Sequence, residues 1–141
     1  MKYTFGTFLI SLPDEITNVK SLDDLWQLTK ALNATEGVPA VEKLKQLNLI
    51  VTASNEDFLS PIDGEYLGES QLFLVSRSFR DAFATADNEY VTKVASDWSH
   101  SESWRDTDVN PFDIYGMLHY LKIVCARGRA EDKELYLLLT I

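Results

Sequence analysis

The chain is short of the residues that most chemistries need. It has one cysteine, Cys125, so no internal disulfide can form. Two histidines and that cysteine, at no ligand-like spacing, do not make a zinc centre. Six glycines are too sparse for phosphate cradles, and neither the P-loop pattern nor Gly-x-Gly-x-x-Gly occurs. The Gly-x-Ser-x-Gly elbow of serine hydrolases is missing as well. No apolar run approaches the roughly 20 residues that span a bilayer. Lys2 precedes the apolar stretch Tyr3 to Leu12, but Pro13-Asp14-Glu15 follows where a leader needs a small-residue cleavage site. The expected compartment is the cytoplasm, and no cofactor or metal is expected.

Bases are scarce too: 13 Lys and Arg face 22 Asp and Glu, for a net charge of −9. Such a surface repels phosphate backbones and anionic lipid, which argues against nucleic acid and membrane as partners. Basic proteins remain compatible with it. The imbalance is mildly uneven, with 11 acids and 5 Lys in the first 70 residues and 11 acids and 8 bases in the rest.

With 141 residues, 45% hydrophobic and 25% charged, the chain has the composition of one ordinary globular domain. Residues 3–12 read as a strand rich in aromatic and β-branched side chains. Ser21 caps a helix with Asp24 at its third position, and Leu22, Leu25, Trp26, Thr29 and Leu32 form that helix's apolar face. After Gly37-Val38-Pro39, Val41, Leu44 and Leu47 share one face of a short helix, and Leu49 to Thr52 is consistent with a short strand. Residues 54–70 read as a loop broken by Pro61, Gly64 and Gly68. Gln71 to Ser76 is extended. Ser78 caps a helix bearing Phe79, Ala82, Phe83 and Ala86, and Asp87-Asn88 re-caps a second one bearing Val91, Val94, Ala95 and Trp98.

The strongest signal lies at the end. Asn110 is an N-cap, Pro111 suits the first helical position, and Asp113 sits in the first turn. Ile114, Met117, Leu118, Leu121 and Cys125 continue the helical stripe, with Gly128 as its stop. Residues 134–141, with the apolar run Leu135 to Leu139, then read as a strand buried on both faces. The expected fold is a single α+β domain over residues 1–141, with four or five helices packed on a small sheet that includes the first and last strands.

Two sets of residues are candidates for function. Between Lys45 and Arg77 the chain has no base, while Glu56, Asp57, Asp63, Glu65 and Glu69 interleave with Phe58 and Tyr66. Acids around aromatic anchors suit a basic protein surface; the alternative is a solvated loop tacked onto the core. The second set is the helix flank Tyr115, His119 and Lys122, at i, i+4 and i+7, joined by Trp104 and Arg105 from the preceding loop. It could line a cleft for an anion or polar ligand. Asp106-Thr107-Asp108-Val109-Asn110 imitates a calcium loop, yet Pro111 stands where Gly is required and Met117 where a bidentate Glu is required. Ser99, His100, Ser101, Glu102 and Asp106 supply the residue types of a serine triad, but adjacency in sequence is not triad geometry. Cys125 reads as a core residue.

From about Leu72 the chain resembles small bacterial proteins of unknown function. The resemblance rests on Phe73-Leu74-Val75-Ser76, the alanine-rich Asp81 to Ala86, an acidic helix ending near a Trp, a long amphipathic helix, and the strand Leu135-Tyr136-Leu137-Leu138. It carries no catalytic residues. By analogy, similar small acidic bacterial proteins can neutralise toxins.

The leading expectation is therefore a non-catalytic protein that works by binding, an immunity-like inhibitor of a basic partner. The alternatives are a small enzyme or ligand-binding protein with a cleft at Trp104, Arg105, Tyr115 and His119, and a homodimer formed through exposed apolar surface.

Overall fold

The structure, a computed structural model, describes residues 5–28, 34–38, 41–104 and 111–140, side chains excepted at 5, 34–38, 103, 111 and 140. In chain order it runs β1 (Phe5–Ser11), α1 (Pro13–Thr17), α2 (Leu22–Gln27), β2 (Ala34–Val38), α3 (Val41–Thr52), β3 (Leu59–Ile62), a 3-10 turn (Glu65–Leu67), β4 (Gln71–Val75), α4 (Arg77–Ala84), α5 (Asn88–Ser99), a second 3-10 turn (Glu102–Trp104), α6 (Pro111–Ala130) and β5 (Glu134–Thr140). This is the expected α+β arrangement. Six α-helices are present among the described residues, one more than the upper expectation. The addition is α1, a short helix with Pro13 in its first turn, in which the Glu15 carboxylate accepts from the Leu12 amide at 3.1 Å.

The five strands form one antiparallel sheet in the order β2-β1-β5-β4-β3. β1 and β5, the first strand and the last, pair along their whole length from Phe5 opposite Thr140 to Ser11 opposite Glu134. Alternation then sorts their side chains between two cores. Phe8, Ile10, Leu135, Leu137 and Leu139 face α3 to α6, whose Phe79, Phe83, Trp98 and Leu121 complete one cluster. Leu9, Tyr136 and Leu138 face the opposite way, onto Ile16, Val19, Leu25 and Leu67. The apolar run of β5 is thus buried on both faces, as its composition implies, each large side chain there adding roughly 1.5–3 kcal/mol.

Three local readings change. Leu49 to Thr52 is the last turn of α3, not a strand. Its β-branched residues favour extension, but burial of Leu44, Leu47 and Val51 at helical spacing decides the matter. Ala53, with φ of 55°, closes that helix through its amide on the Leu49 carbonyl. Residues 54–70 hold β3 and a 3-10 turn, so they are not a plain loop. β3 tolerates Pro61 because it is an edge strand. Ala34 to Val38, which takes in Gly37 and Val38 of the expected break between helices, is the other edge strand.

Caps differ by small shifts. Ser76, not Ser78, caps α4 through Phe79 N, and Asp87 caps α5 through Tyr90 N at 2.7 Å. Asn110 lies outside the described residues, but α6 begins at Pro111 as expected. Gly128 does not end α6. The terminus is a Schellman arrangement in which Lys133 N reaches Gly128 O at 2.7 Å and Asp132 takes the left-handed conformation. Gly128 serves contact instead: a Cβ there would come within 2.9 Å of Ile10 Cγ2, so its absence lets α6 lie close on β1.

Candidate functional site

The Tyr115, His119 and Lys122 flank of α6 runs along α5. The Tyr115 and His119 rings lie 4.2 Å apart, and Lys122 Nζ is 3.5 Å from Asn88 Oδ1 on α5. At the open end of this seam is a groove of about 440 Å³, lined by Thr92, Ala95, Ser96, Ser99, His100, Phe112 and Tyr115. Its signal in the sequence is the small-residue series Thr92, Ala95, Ser96 and Ser99 on α5, which leaves a trough beside the aromatic rings. The groove presents mainly carbon. Thr92 Oγ1 donates to Asn88 O and Ser99 Oγ to Ser96 O, each hydroxyl bonding its own helix. His100 Nδ1 sits 2.7 Å from Ser96 O and so carries the proton. No acid completes a triad with Ser99 and His100 in these contacts.

Trp104 does not belong to this groove. It is only 9% exposed, stands edge-on to Trp98 at 5.2 Å, and carries Lys43 Nζ 4.9 Å above its ring. It is a core post rather than a stacking platform, because Trp98 and Trp104 together fill the space under α3. Trp98 is pinned there by its Nε1, which donates to Lys43 O at 2.8 Å. Arg105, and with it Asp106 and Asp108, lies outside the described residues. Of the expected cleft, then, Tyr115, His119 and Lys122 are together and Trp104 is apart. His119 Nε2 and Trp104 Nε1 are buried with no hydrogen-bond partner among the described residues.

Cys125 is fully buried, and burial pushes its thiol far above the usual range, so it is inert as a nucleophile at neutral pH. Among the described residues no group of three His, Cys, Asp or Glu is placed to hold a metal ion. No helix there is long and apolar enough to cross a membrane.

The acidic segment is split by the fold. Phe58 is 5% exposed and packs against Phe79, so it is not an interface anchor. Its neighbours Glu56 and Asp57 border a small polar cleft of about 140 Å³ with Asn48, Ser54, Ser76 and Ser78, on the α3–α4 side. Asn48 is satisfied within that cleft, donating to the Ser54 and Glu56 carbonyls. Ile62 and Tyr66 pack half-buried on the opposite core, leaving Asp63, Glu65 and Glu69 exposed around them.

A second acidic stretch joins these three. A shallow pocket of about 350 Å³ is bounded by Lys20, Ser21, Leu22, Asp23 and Tyr66, and so brings the start of α2 beside the 3-10 turn. Asp14, Glu15, Asp23, Asp24, Asp63, Glu65 and Glu69 are therefore carried by one layer, all exposed, with Lys20 as the one base among the described residues of 13–28 and 63–70. Glu15 and Asp24 help cap their own helices through the Leu12 and Lys20 amides. Among the described residues none of the seven is in an ion pair. Ion pairs seen among the described residues, Arg77–Glu134, Arg80–Asp81, Arg127–Glu131 and Lys133–Glu131, lie outside this layer. The Arg127 and Lys133 partners hold the Glu131 carboxyl below the usual range, and the Glu134 hydrogen bond raises the Arg77 guanidinium. Sequence reading found Asp63, Glu65 and Glu69 but not their union with residues 14–24, which depends on sheet topology.

No protein-family model, no curated protein and no solved structure matches this chain.

Proposed function

We propose that the protein acts by binding rather than catalysis, and that the acidic face of the α1, α2 and 3-10 layer docks a basic protein, as an immunity-like inhibitor in the cytoplasm would. The observation that carries this reading is the set of seven exposed carboxylates facing a single lysine. Unneutralised charge at this density raises a negative potential that speeds encounter with a basic surface and repels acidic competitors. The half-buried Tyr66 and Leu22 at its centre supply apolar contact within a charged rim. A cleft enzyme has less support, since Trp104 is committed to the core and the groove beside Tyr115 turns its hydroxyls inward.

The test is affinity capture from the source cell, followed by association kinetics with the purified partner. Asp23, Asp63, Glu65 and Glu69 make no cap, so replacing all four with Lys moves the net charge from −9 to about −1 with the fold intact. The expected outcome is a fall in association rate of at least tenfold, and loss of the wild-type salt dependence. Capture and kinetics unchanged by the four reversals would refute the reading.

A further inference from the structure

We propose that the outer face of α6 is the contact surface of a weak antiparallel homodimer. Opposite its buried stripe of Ile114, Leu118, Leu121 and Cys125, α6 carries Phe112, Gly116, His119, Ile123, Ala126 and Ala130. Their spacing alternates between four and three residues, the repeat of a coiled-coil seam. No residue of the seam is charged. Phe112 is 83% exposed and Ile123 56%, Gly116 and Ala130 are exposed as well, and His119 and Ala126 are half-buried, His119 on the side that turns towards Tyr115. A helix apolar on both sides is normally covered on both sides.

The order of sizes along the seam fits a second copy in one direction only. With a two-fold axis opposite Leu121, Phe112 meets Ala130 of the second copy, Gly116 meets Ala126, and His119 meets Ile123. Phe112 then faces an alanine and Gly116 another, His119 and Ile123 meet as side chains of similar size, and each pair joins the two kinds of seam position, as antiparallel packing requires. A parallel pair would instead stack Phe112 on Phe112 and leave a void at Gly116. Gly116 has nothing within 4 Å of its missing Cβ, so that side of the helix is open to close approach.

The flanks are complementary in the same direction. α6 is acidic in its first turn, at Asp113, and basic in its last, at Arg127 and Arg129. Antiparallel pairing sets Asp113 beside Arg127 of the second copy, and Tyr115 beside its Arg129, a cation–π geometry. It also aligns opposed helix dipoles. The single like-charge meeting is Lys122 with its own copy, and each Lys122 points at Asn88 Oδ1 in its own chain. A seam of about 27 Å and one helix width covers a few hundred Å² per chain, below the roughly 800 Å² of a standard stable interface. The dimer is accordingly concentration-dependent.

Sedimentation of the full chain from about 1 µM to about 1 mM should show the mass rising from one chain towards two, as expected for an affinity in the micromolar range or weaker. Ile123→Asp should keep it monomeric throughout with its thermal melt unchanged, because Ile123 stands outside the core. Direction is read by mixing Gly116→Cys and Ala126→Cys chains with a short thiol cross-linker, Cys125 being buried and silent. Links from 116 to 126 are expected. A monomer at every concentration, a dimer indifferent to Ile123→Asp, or links of 116 to 116 would each overturn the proposal.

Discussion

The two faces of the sheet are covered by layers of different build. On one side lie α3, α4, α5 and α6, of 12, 8, 12 and 20 residues, around a core of Phe79, Phe83, Trp98 and Leu121. On the other lie α1 and α2, of five and six residues, with a 3-10 turn over Leu9, Tyr136 and Leu138. Charge divides the same way. Counted over the elements themselves, α3 to α6 carry eight bases and five acids, whereas α1, α2 and the 3-10 turn carry five acids and no base. The chain's −9 is thus the sum of unlike surfaces rather than a uniform property. Helices of five or six residues do not hold by themselves, so the thin layer depends on the few side chains it plugs into the sheet. The thick layer supplies stability, and the thin one is left to present charge.

The sharpest test of that division is to empty one side chain from each core. Trp98→Ala removes a fully buried indole and its bond to Lys43 O, and should cost about 3–5 kcal/mol in urea unfolding. Leu25→Ala, in the thin layer, should cost about 2–3 kcal/mol, because so short a helix can settle into the space it vacates. A Leu25 loss equal to that at Trp98 would break the contrast.

Next in size is an alkaline effect on the thin side. Burial, then the nearby Glu134 carboxylate, push the Tyr136 hydroxyl from 10 up to about 12. A folded-state value raised above the unfolded one means that stability is fully present below pH 10 and is lost as pH climbs through about 12. The loss should be on the order of 2 kcal/mol in denaturant titrations at pH 9 and pH 12. Tyr136→Phe should lose less over the same interval, and an equal loss in both would assign the effect elsewhere.

The smallest effect expected is a gain. Thr7 shares the thin face with Leu9, and its Oγ1 is buried with no partner among the described residues. Thr7→Val keeps the shape and removes an unsatisfied hydroxyl, so it should stabilise by about 0.5–1 kcal/mol. A lower unfolding midpoint would mean that the hydroxyl is satisfied by water.

Sequence reading reached the thick side more completely than the thin one, for physical reasons. Val91, Val94, Ala95 and Trp98, and Ile114, Leu118, Leu121 and Cys125, repeat over several turns, and long repeats are hard to misread. β5 declared itself through an unbroken apolar run. By contrast Ala34-Thr35-Glu36-Gly37-Val38 has no alternation, because an edge strand can be held by pairing with β1 alone. Leu59-Ser60-Pro61-Ile62 hid behind its proline. The acidic face was legible only in fragments. Residues 14–24 and 63–69 look unrelated until the sheet sets α2 beside Tyr66, and nothing local says that Phe58 turns inward while Asp63 turns out. Tyr115, His119 and Lys122 follow from helical spacing alone, but whether Trp104 joins them depends on a tertiary contact with Trp98.

The pairing of β1 with β5 also fixes an order of events. Phe8 finds Leu137, its neighbour across the sheet, only after nearly the whole chain between them has been made. At the usual rate of about 5–20 residues per second, that wait is on the order of ten seconds. During it the strand Phe5–Ser11 is held without its central partner, with Phe8, Leu9 and Ile10 in need of cover. The sheet cannot assemble progressively from one end. Its centre closes only once β5 has been made, so until then β1 is the strand most open to self-association.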